Sequence, residues 1–161
     1  MKIKNSILFI LVLFLVISCD KKRIFDEYKS VGKAWNKDSI VTFELPRLDP
    51  KKSFDLYLNI RDNDAYPFNN LFIIVSLEHP NRKIKVDTLE YQMTNPDGTL
   101  LGDGFSDIKE SKLFYKNKVN FTQKGVYKIH IKQATRQTGK IEGVTSLPGI
   151  TDVGFRIEST E

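Results

Sequence analysis

The chain holds a single cysteine, Cys19, and it stands where a thiol has a defined chemical use. Val16-Ile17-Ser18-Cys19 has the order of a bacterial lipobox: a branched apolar residue, a tolerant position, a small residue, then cysteine. A small residue suits the peptidase that cuts before Cys19, and only a thiol can become the thioether that carries diacylglycerol. Cleavage between Ser18 and Cys19 also frees an amine for an N-acyl chain. The preceding residues fit this reading, with Lys2 and Lys4 as a basic start and an unbroken apolar run from Ile7 to Ile17. As a helix that run reaches roughly 17 Å, short of a hydrocarbon core about 30 Å thick. It reads as a signal peptide, residues 1–18, and not as a span. Two or three acyl chains together hold a protein on a bilayer essentially permanently. The alternative is an uncleaved signal anchor with an incidental cysteine.

No other set of residues meets the spacing that a known chemistry demands. The segment from Asn95 to Ile108 carries Asp97, Asp103 and Asp107 among Gly98, Gly102 and Gly104. A calcium loop needs alternating carboxylates and a distal Glu, and here Asp97 is followed by Gly98, Thr99, Leu100 and Leu101. A dinucleotide loop needs a third glycine where Asp107 stands, so tight turns are the favoured reading and a bound cation the alternative. Asp62-Asn63-Asp64 reads as a solvated acidic turn. His79 precedes Pro80 in a turn and His130 lies on the outward parity of a strand, so no zinc pair is expected. Ser106 is not in a Gly-x-Ser-x-Gly elbow, and no carboxylate pair stands out. No catalytic residue, metal or cofactor is assigned beyond the covalent lipid on Cys19, and the expectation is a protein that is not an enzyme. Lys132 to Lys140 is either an exposed hairpin connection or a partner-binding loop. Tyr57, on outward parity, is either a cross-strand packing partner or part of a carbohydrate platform.

Composition sets the frame that must position these residues. The chain has 161 residues, 40% of them hydrophobic and 28% charged, which is one globular domain of ordinary size. Its net charge of +5 includes Lys2 and Lys4, so the mature chain carries +3 and shows no nucleic-acid footprint. One cysteine excludes a disulfide framework and Cys-rich metal centres.

From residue 39 onward the hydrophobic period is two, which predicts strands. Val41, Phe43 and Leu45 alternate with polar residues, as do Phe54, Leu56, Leu58 and Ile60. Leu71 to Val75 is continuously apolar and is expected at the centre of a sheet, covered on both faces. Ile84 and Val86 share one parity and Leu89 and Tyr91 the other, which predicts a bulge near Thr88. Further strands are expected at Leu113–Phe121, Tyr127–Ile131 and Val153–Ile157, and a first one at Phe25–Lys29. Ile24, Tyr28, Val31 and Trp35 follow a helical spacing that competes with that last assignment. Turn chemistry separates the segments at Pro46–Pro50, Asp62–Pro67, Pro80-Asn81, Asn95–Gly98, Lys124-Gly125 and Pro148-Gly149. The expectation is an all-β, two-sheet antiparallel β-sandwich, jelly-roll or immunoglobulin-like, over residues 24–161. Residues 19–23 form a lipidated tether before it.

Several short pieces occur in a recognisable order behind the lipobox. They are Phe25-Asp26-Glu27-Tyr28, Trp35, Tyr66-Pro67 before Asn70-Leu71, Asp87-Thr88-Leu89, and Gly102-Asp103-Gly104-Phe105-Ser106-Asp107-Ile108. Gly125-Val126-Tyr127, Arg136 and the closing Gly149-Ile150-Thr151-Asp152-Val153-Gly154 complete the series. In this the chain resembles the GldH family of gliding-motility lipoproteins of Bacteroidetes, over nearly the whole mature sequence. The resemblance implies a lipoprotein needed for gliding that works with envelope machinery overlapping the type IX secretion system, and it carries no catalytic residue. Partners are then other gliding and secretion envelope proteins, together with the bilayer through Cys19. A glycan- or peptidoglycan-binding envelope module is the competing class. Asp20 after the cysteine is an inner-membrane retention signal in enterobacteria. The expected location is nevertheless the periplasmic face of the outer membrane, with the inner membrane as the alternative.

Overall fold

The computed structural model describes residues 20–104 and 106–160; the signal segment 1–18 and Cys19 lie outside them. The chain forms β1 (Arg23–Ser30), β2 (Ala34–Asn36), β3 (Val41–Glu44), β4 (Phe54–Asn63) and β5 (Asn70–Glu78). It continues with β6 (Ile84–Gln92), β7 (Ile108–Val119), β8 (Lys128–Gln133), β9 (Ser146–Pro148) and β10 (Ile150–Ser159). One sheet has the order β1-β10-β4-β7, the other β3-β8-β5-β6, and β2 pairs with β9 in a short ribbon. Every named strand pair is antiparallel. Leaving out the ribbon, early and late strands interleave in both sheets, which is the jelly-roll order of two nested Greek keys. The choice between jelly-roll and immunoglobulin orders, open in the sequence, is resolved by this interleaving.

The alternation expected of half-buried strands holds where the apolar residues are regular. Leu56, Leu58 and Ile60 of β4 face Val153, Phe155 and Ile157 of β10 across the inner surface, and all six are fully buried. The second sheet contributes Leu71, Ile73 and Val75 with Ile129 and Ile131. Aromatic rings join the layers: Phe43 lies 6.4 Å from Phe25, edge to face, and 6.4 Å from Phe155 in a stacked pair.

Two expectations are corrected and one competing reading is removed. β5 is central, between β8 and β6, but it is covered on one face only, since Phe72 and Ile74 on its outer side are half-buried. β6 has no bulge; it pairs with β5 without a register shift from Ile84 to Gln92. Its inward parity is Asp87, Leu89 and Tyr91, so Ile84 and Val86 point outward at 56% and 61% exposure. The polar Asp87 is tolerated on that parity because the Tyr115 hydroxyl, at 2.7 Å, and Lys116 Nζ, at 2.6 Å, both donate to it. The first strand expected at Phe25–Lys29 lies within β1, and the competing helical spacing that ends at Trp35 is not a helix. β1 is extended, Gly32 turns the chain in the left-handed region at φ 82°, and Trp35 enters β2 fully buried, donating from Nε1 to the Ser39 carbonyl.

Gly149 shows how tightly the ribbon end is closed. At φ 84° it lies against the Tyr66 backbone, where a Cβ would sit 2.2 Å from the amide nitrogen. Gly149→Ala is therefore expected to cost about 2–4 kcal/mol, comparable to Leu58→Ala in the core, when both are measured by urea unfolding.

Candidate functional site

The outer face of the β1-β10-β4-β7 sheet carries a continuous polar network, built by the outward parity of four neighbouring strands. Asp26, Arg156, Tyr57 and Phe114 form one cross-strand row, and Tyr28, Gly154, Asn59 and Lys112 form the next. Gly154 is required in the second row because the Tyr28 ring lies over it; an added Cβ would come within 2.9 Å of that ring.

Arg156 is the hub. Its Nη1 donates to Asp26 Oδ2 at 2.7 Å, and both Nε and Nη2 lie 2.6 Å from Glu158 Oε1. Its Nη2 also pairs with the carboxylate of Asp20, the residue that follows Cys19. The carboxylate hydrogen bonds keep the Arg156 guanidinium charged well above the ordinary arginine range, against the opposing effect of burial. The same contact, above all its hydrogen bond, holds the Asp20 carboxyl below its usual range. Lys112 Nζ completes the cluster at 2.6 Å from Glu158 Oε1.

The second row is tied to the first by Asn59 Nδ2, which donates to Asp26 Oδ1 at 3.1 Å. Asn59 Nδ2 donates to the Tyr28 hydroxyl at 2.8 Å, and that hydroxyl donates to Glu110 Oε1 at 2.8 Å. Arg61 Nε donates to Glu110 Oε2 at 2.8 Å while its guanidinium lies 4.1 Å from the Tyr28 ring centre. Burial, with the Glu110 carboxylate second, pushes the Tyr28 hydroxyl well above its ordinary range, so it is neutral and cannot serve as a base.

The remaining residues singled out by sequence lie apart from this network and from one another. Tyr57 does face outward, but Lys112 Nζ stands 4.1 Å from its ring centre and Phe114 meets it edge to face at 77°. Two rings at that angle offer no flat platform for a sugar. His130 bridges Thr42 and Glu78 on the other sheet, while His79 packs 5.3 Å from Tyr127. Asp97 accepts from both the amide and hydroxyl of Thr99, a tight-turn arrangement. Among the described residues no three His, Cys, Asp or Glu side chains converge on a common point. Gln133, which ends β8, and Thr135 just after it are buried, and the exposed part is Arg136 to Glu142. Ile141 is 90% exposed there.

Asp62 is the clear correction. The turn in which it was read as solvated begins one residue later; Asp62 occupies the last inward position of β4, fully buried, with neither carboxylate oxygen hydrogen-bonded. Its place four residues after Leu58 on the same parity was the available signal, masked by the acidic character of Asp62-Asn63-Asp64. Burial pushes its carboxyl up to about 7.

Residues 23–157 match the family described as GldH lipoprotein. The chain belongs to that family. It is 65% identical over all 161 residues to "Gliding motility lipoprotein GldH" of Flavobacterium johnsoniae, covering 100% of both chains. It is 51% identical over 154 residues to "Gliding motility lipoprotein GldH homolog" of Christiangramia forsetii, covering 96% of this chain and 94% of that one. Among solved structures it is similar to the VP2 subviral particle of infectious bursal disease virus. The TM-score is 0.40 at 13% identity, over 87% of this chain and 34% of the other.

Two outcomes follow from the buried charges. A carboxyl raised on folding stabilises the protein below its unfolded value and loses that contribution as pH rises through its folded value. Between pH about 4 and about 7 the wild type should therefore lose stability relative to Asp62→Asn, by on the order of 2–4 kcal/mol in denaturant titrations at matched pH. Arg156→Met should strand the Asp26 and Glu158 carboxylates, cost about 2–4 kcal/mol, and expose the bonds around residues 20–23 to limited proteolysis. Arg156→Lys should not restore protection, because one ammonium cannot replace the planar fork.

Proposed function

We propose that the protein is a lipid-anchored, non-catalytic assembly component of the gliding and type IX secretion machinery, held at the periplasmic face of the outer membrane by acyl chains on Cys19. The observation that carries this reading is the way the anchor-proximal residues join the body. Asp20 pairs with Arg156, its carbonyl accepts from the Arg23 amide at 3.2 Å, and the Lys22 carbonyl accepts from the Ser159 amide at 2.8 Å. A lipid one residue before Asp20 would thus be coupled to the sheet with almost no slack, which suits a part that holds a fixed position among neighbours.

Family membership and the names of the two relatives support a lipoprotein role in gliding motility. The outer-face network supports the absence of chemistry, since its ionisable groups are occupied by one another and its tyrosine is held neutral. Contacts with envelope proteins would then come from loops at the end remote from Asp20, where Ile141 stands almost free of the body.

Cys19→Ala should abolish labelling by a palmitate analogue and also spreading, while the protein still accumulates folded. Labelling that persists, or spreading that is unimpaired without it, would refute the reading. Ile141→Asp should leave stability within about 0.5 kcal/mol of wild type yet reduce spreading and the yield of proteins crosslinked in living cells.

A further inference from the structure

We infer that the end of the sandwich from which the anchor leaves is a docking face for the anionic phospholipid headgroups of the bilayer that holds the acyl chains. This rests on the lipidation of Cys19 and adds to it a defined pose of the body on the membrane.

Five segments form that end as one surface. Residues 20–23 meet 159–160 through the Ser159 amide and the Lys22 carbonyl, and the Thr160 hydroxyl donates to the Ser53 carbonyl at 3.0 Å. Asn120 Nδ2 donates to the Lys52 carbonyl at 2.8 Å, which joins the loop 46–53 to the segment 118–127. Gly125 lies against Pro80, where a Cβ would sit 2.7 Å from the proline Cβ, so the turn 79–83 belongs to the same surface.

Charge is partitioned sharply between this end and the rest. The five segments hold ten Lys or Arg, all exposed, against two acids, Asp20 and Asp49. All other described residues hold thirteen Lys or Arg against seventeen Asp or Glu. A modest overall charge therefore hides a molecule with a strongly positive anchored end. Asp20 does not weaken that end, because its carboxylate turns back to Arg156. Between the loops 46–50 and 121–127 lies a groove of about 460 Å³ floored by Leu45, Leu48, Phe121 and Tyr127, with Val126 53% exposed at its rim.

Exposed cations around an apolar groove match the layered chemistry of a headgroup region, phosphate outside and glycerol and upper acyl carbons beneath. Each Lys or Arg held near an anionic surface strengthens partitioning about fivefold, about 1 kcal/mol, provided it lies within a Debye length of about 8 Å. An anchor with almost no slack meets that distance condition for the cations beside it. The far end, whose loops set exposed Lys33, Lys37, Arg136 and Lys140 against Asp38, Asp64, Asp97, Asp103, Asp107 and Glu142, offers the same surface no excess of cations.

The test uses mature lipidated protein in vesicles of phosphatidylcholine, with or without phosphatidylglycerol, carrying brominated acyl chains. Val126→Trp and Ile141→Trp place a reporter at either end; the native Trp35 is fully buried and gives a common background. The indole at position 126 should be quenched on phosphatidylglycerol vesicles and several-fold less on phosphatidylcholine alone or in high salt, while that at 141 stays unquenched. Combining Lys51→Gln, Lys52→Gln, Lys118→Gln and Lys124→Gln should remove the phosphatidylglycerol dependence. An unquenched position 126 on protein that floats with the vesicles overturns the proposal and leaves lipidation standing, as does equal quenching on neutral lipid or at both ends. Crosslinking of position 126 to an envelope protein in cells, with no quenching on vesicles, overturns it in favour of that protein. A mature chain found without acyl mass on Cys19 refutes the anchor instead. In that event the docking face is judged by whether Cys19→Ser protein co-sediments with phosphatidylglycerol vesicles and not with phosphatidylcholine; if it does neither, the proposal fails too.

Discussion

β1, the strand that leads to the anchor, is an edge strand hydrogen-bonded to one neighbour, β10, and β10 is the last strand of the chain. This pairing joins residues 23 to 30 with residues 152 to 158, so sheet closure waits on the C-terminus. Such long-range pairing carries a large loop-closure cost before any contact repays it, and folding of this topology is expected to be slow and all-or-none. The register also decides the outer face. Because Asp26 lies opposite Arg156 and Tyr28 opposite Gly154, a one-residue slip would turn Phe25 outward and bury Asp26. Any pull on the amino terminus is delivered first to that ladder and then, through β10, to β4 and β7.

The same arrangement shows what the charges on this face do. A guanidinium shared by three carboxylates is a fixed structural ion, and a tyrosine hydroxyl placed between an amide donor and a carboxylate acceptor has both of its roles taken. Groups occupied in this way align strands and exclude alternative registers. Asp62, whose carboxyl burial pushes up to about 7, is fully buried inside the sandwich with neither oxygen bonded.

Much of the fold was legible because burial on one face imposes a period of two, and the chain follows it in β3, β4, β8 and β10. The failures have particular causes. Ile84 and Val86 are apolar residues on the outward parity of an edge strand, and pattern alone assigns them inward. Asp62 is a polar residue on an inward parity, and its acidic neighbours suggested solvent. The first strand was expected and found, and the helical spacing that competed with it fails because Trp35 follows a turn at Gly32, across which spacing carries no meaning. Some of the residues that carried the family resemblance prove to be packing partners brought together from far apart: Tyr66 with Gly149, and Tyr28 with Gly154. The candidate face was not legible, since pairing Asp26 with Arg156 requires knowing that the first and last strands are neighbours.

On the proposed reading, the two ends of the sandwich have opposite tasks, and the jelly-roll topology separates them. Its loops gather at two poles. The chain enters and leaves the β1-β10 ladder at one pole, where the cations are concentrated, and the acidic, glycine-bearing loops lie at the other. Acyl chains alone would let a body tumble above the bilayer, with every face offered in turn. Attraction at one pole, with no excess of cations at the other, removes that freedom before any partner arrives, and the ordering cost is then not charged to the partner contact. A membrane-held assembly part gains affinity from orientation in this way without enlarging its interface, which fits a chain whose most exposed large apolar residue among those described, Ile141, stands in a loop at the far pole.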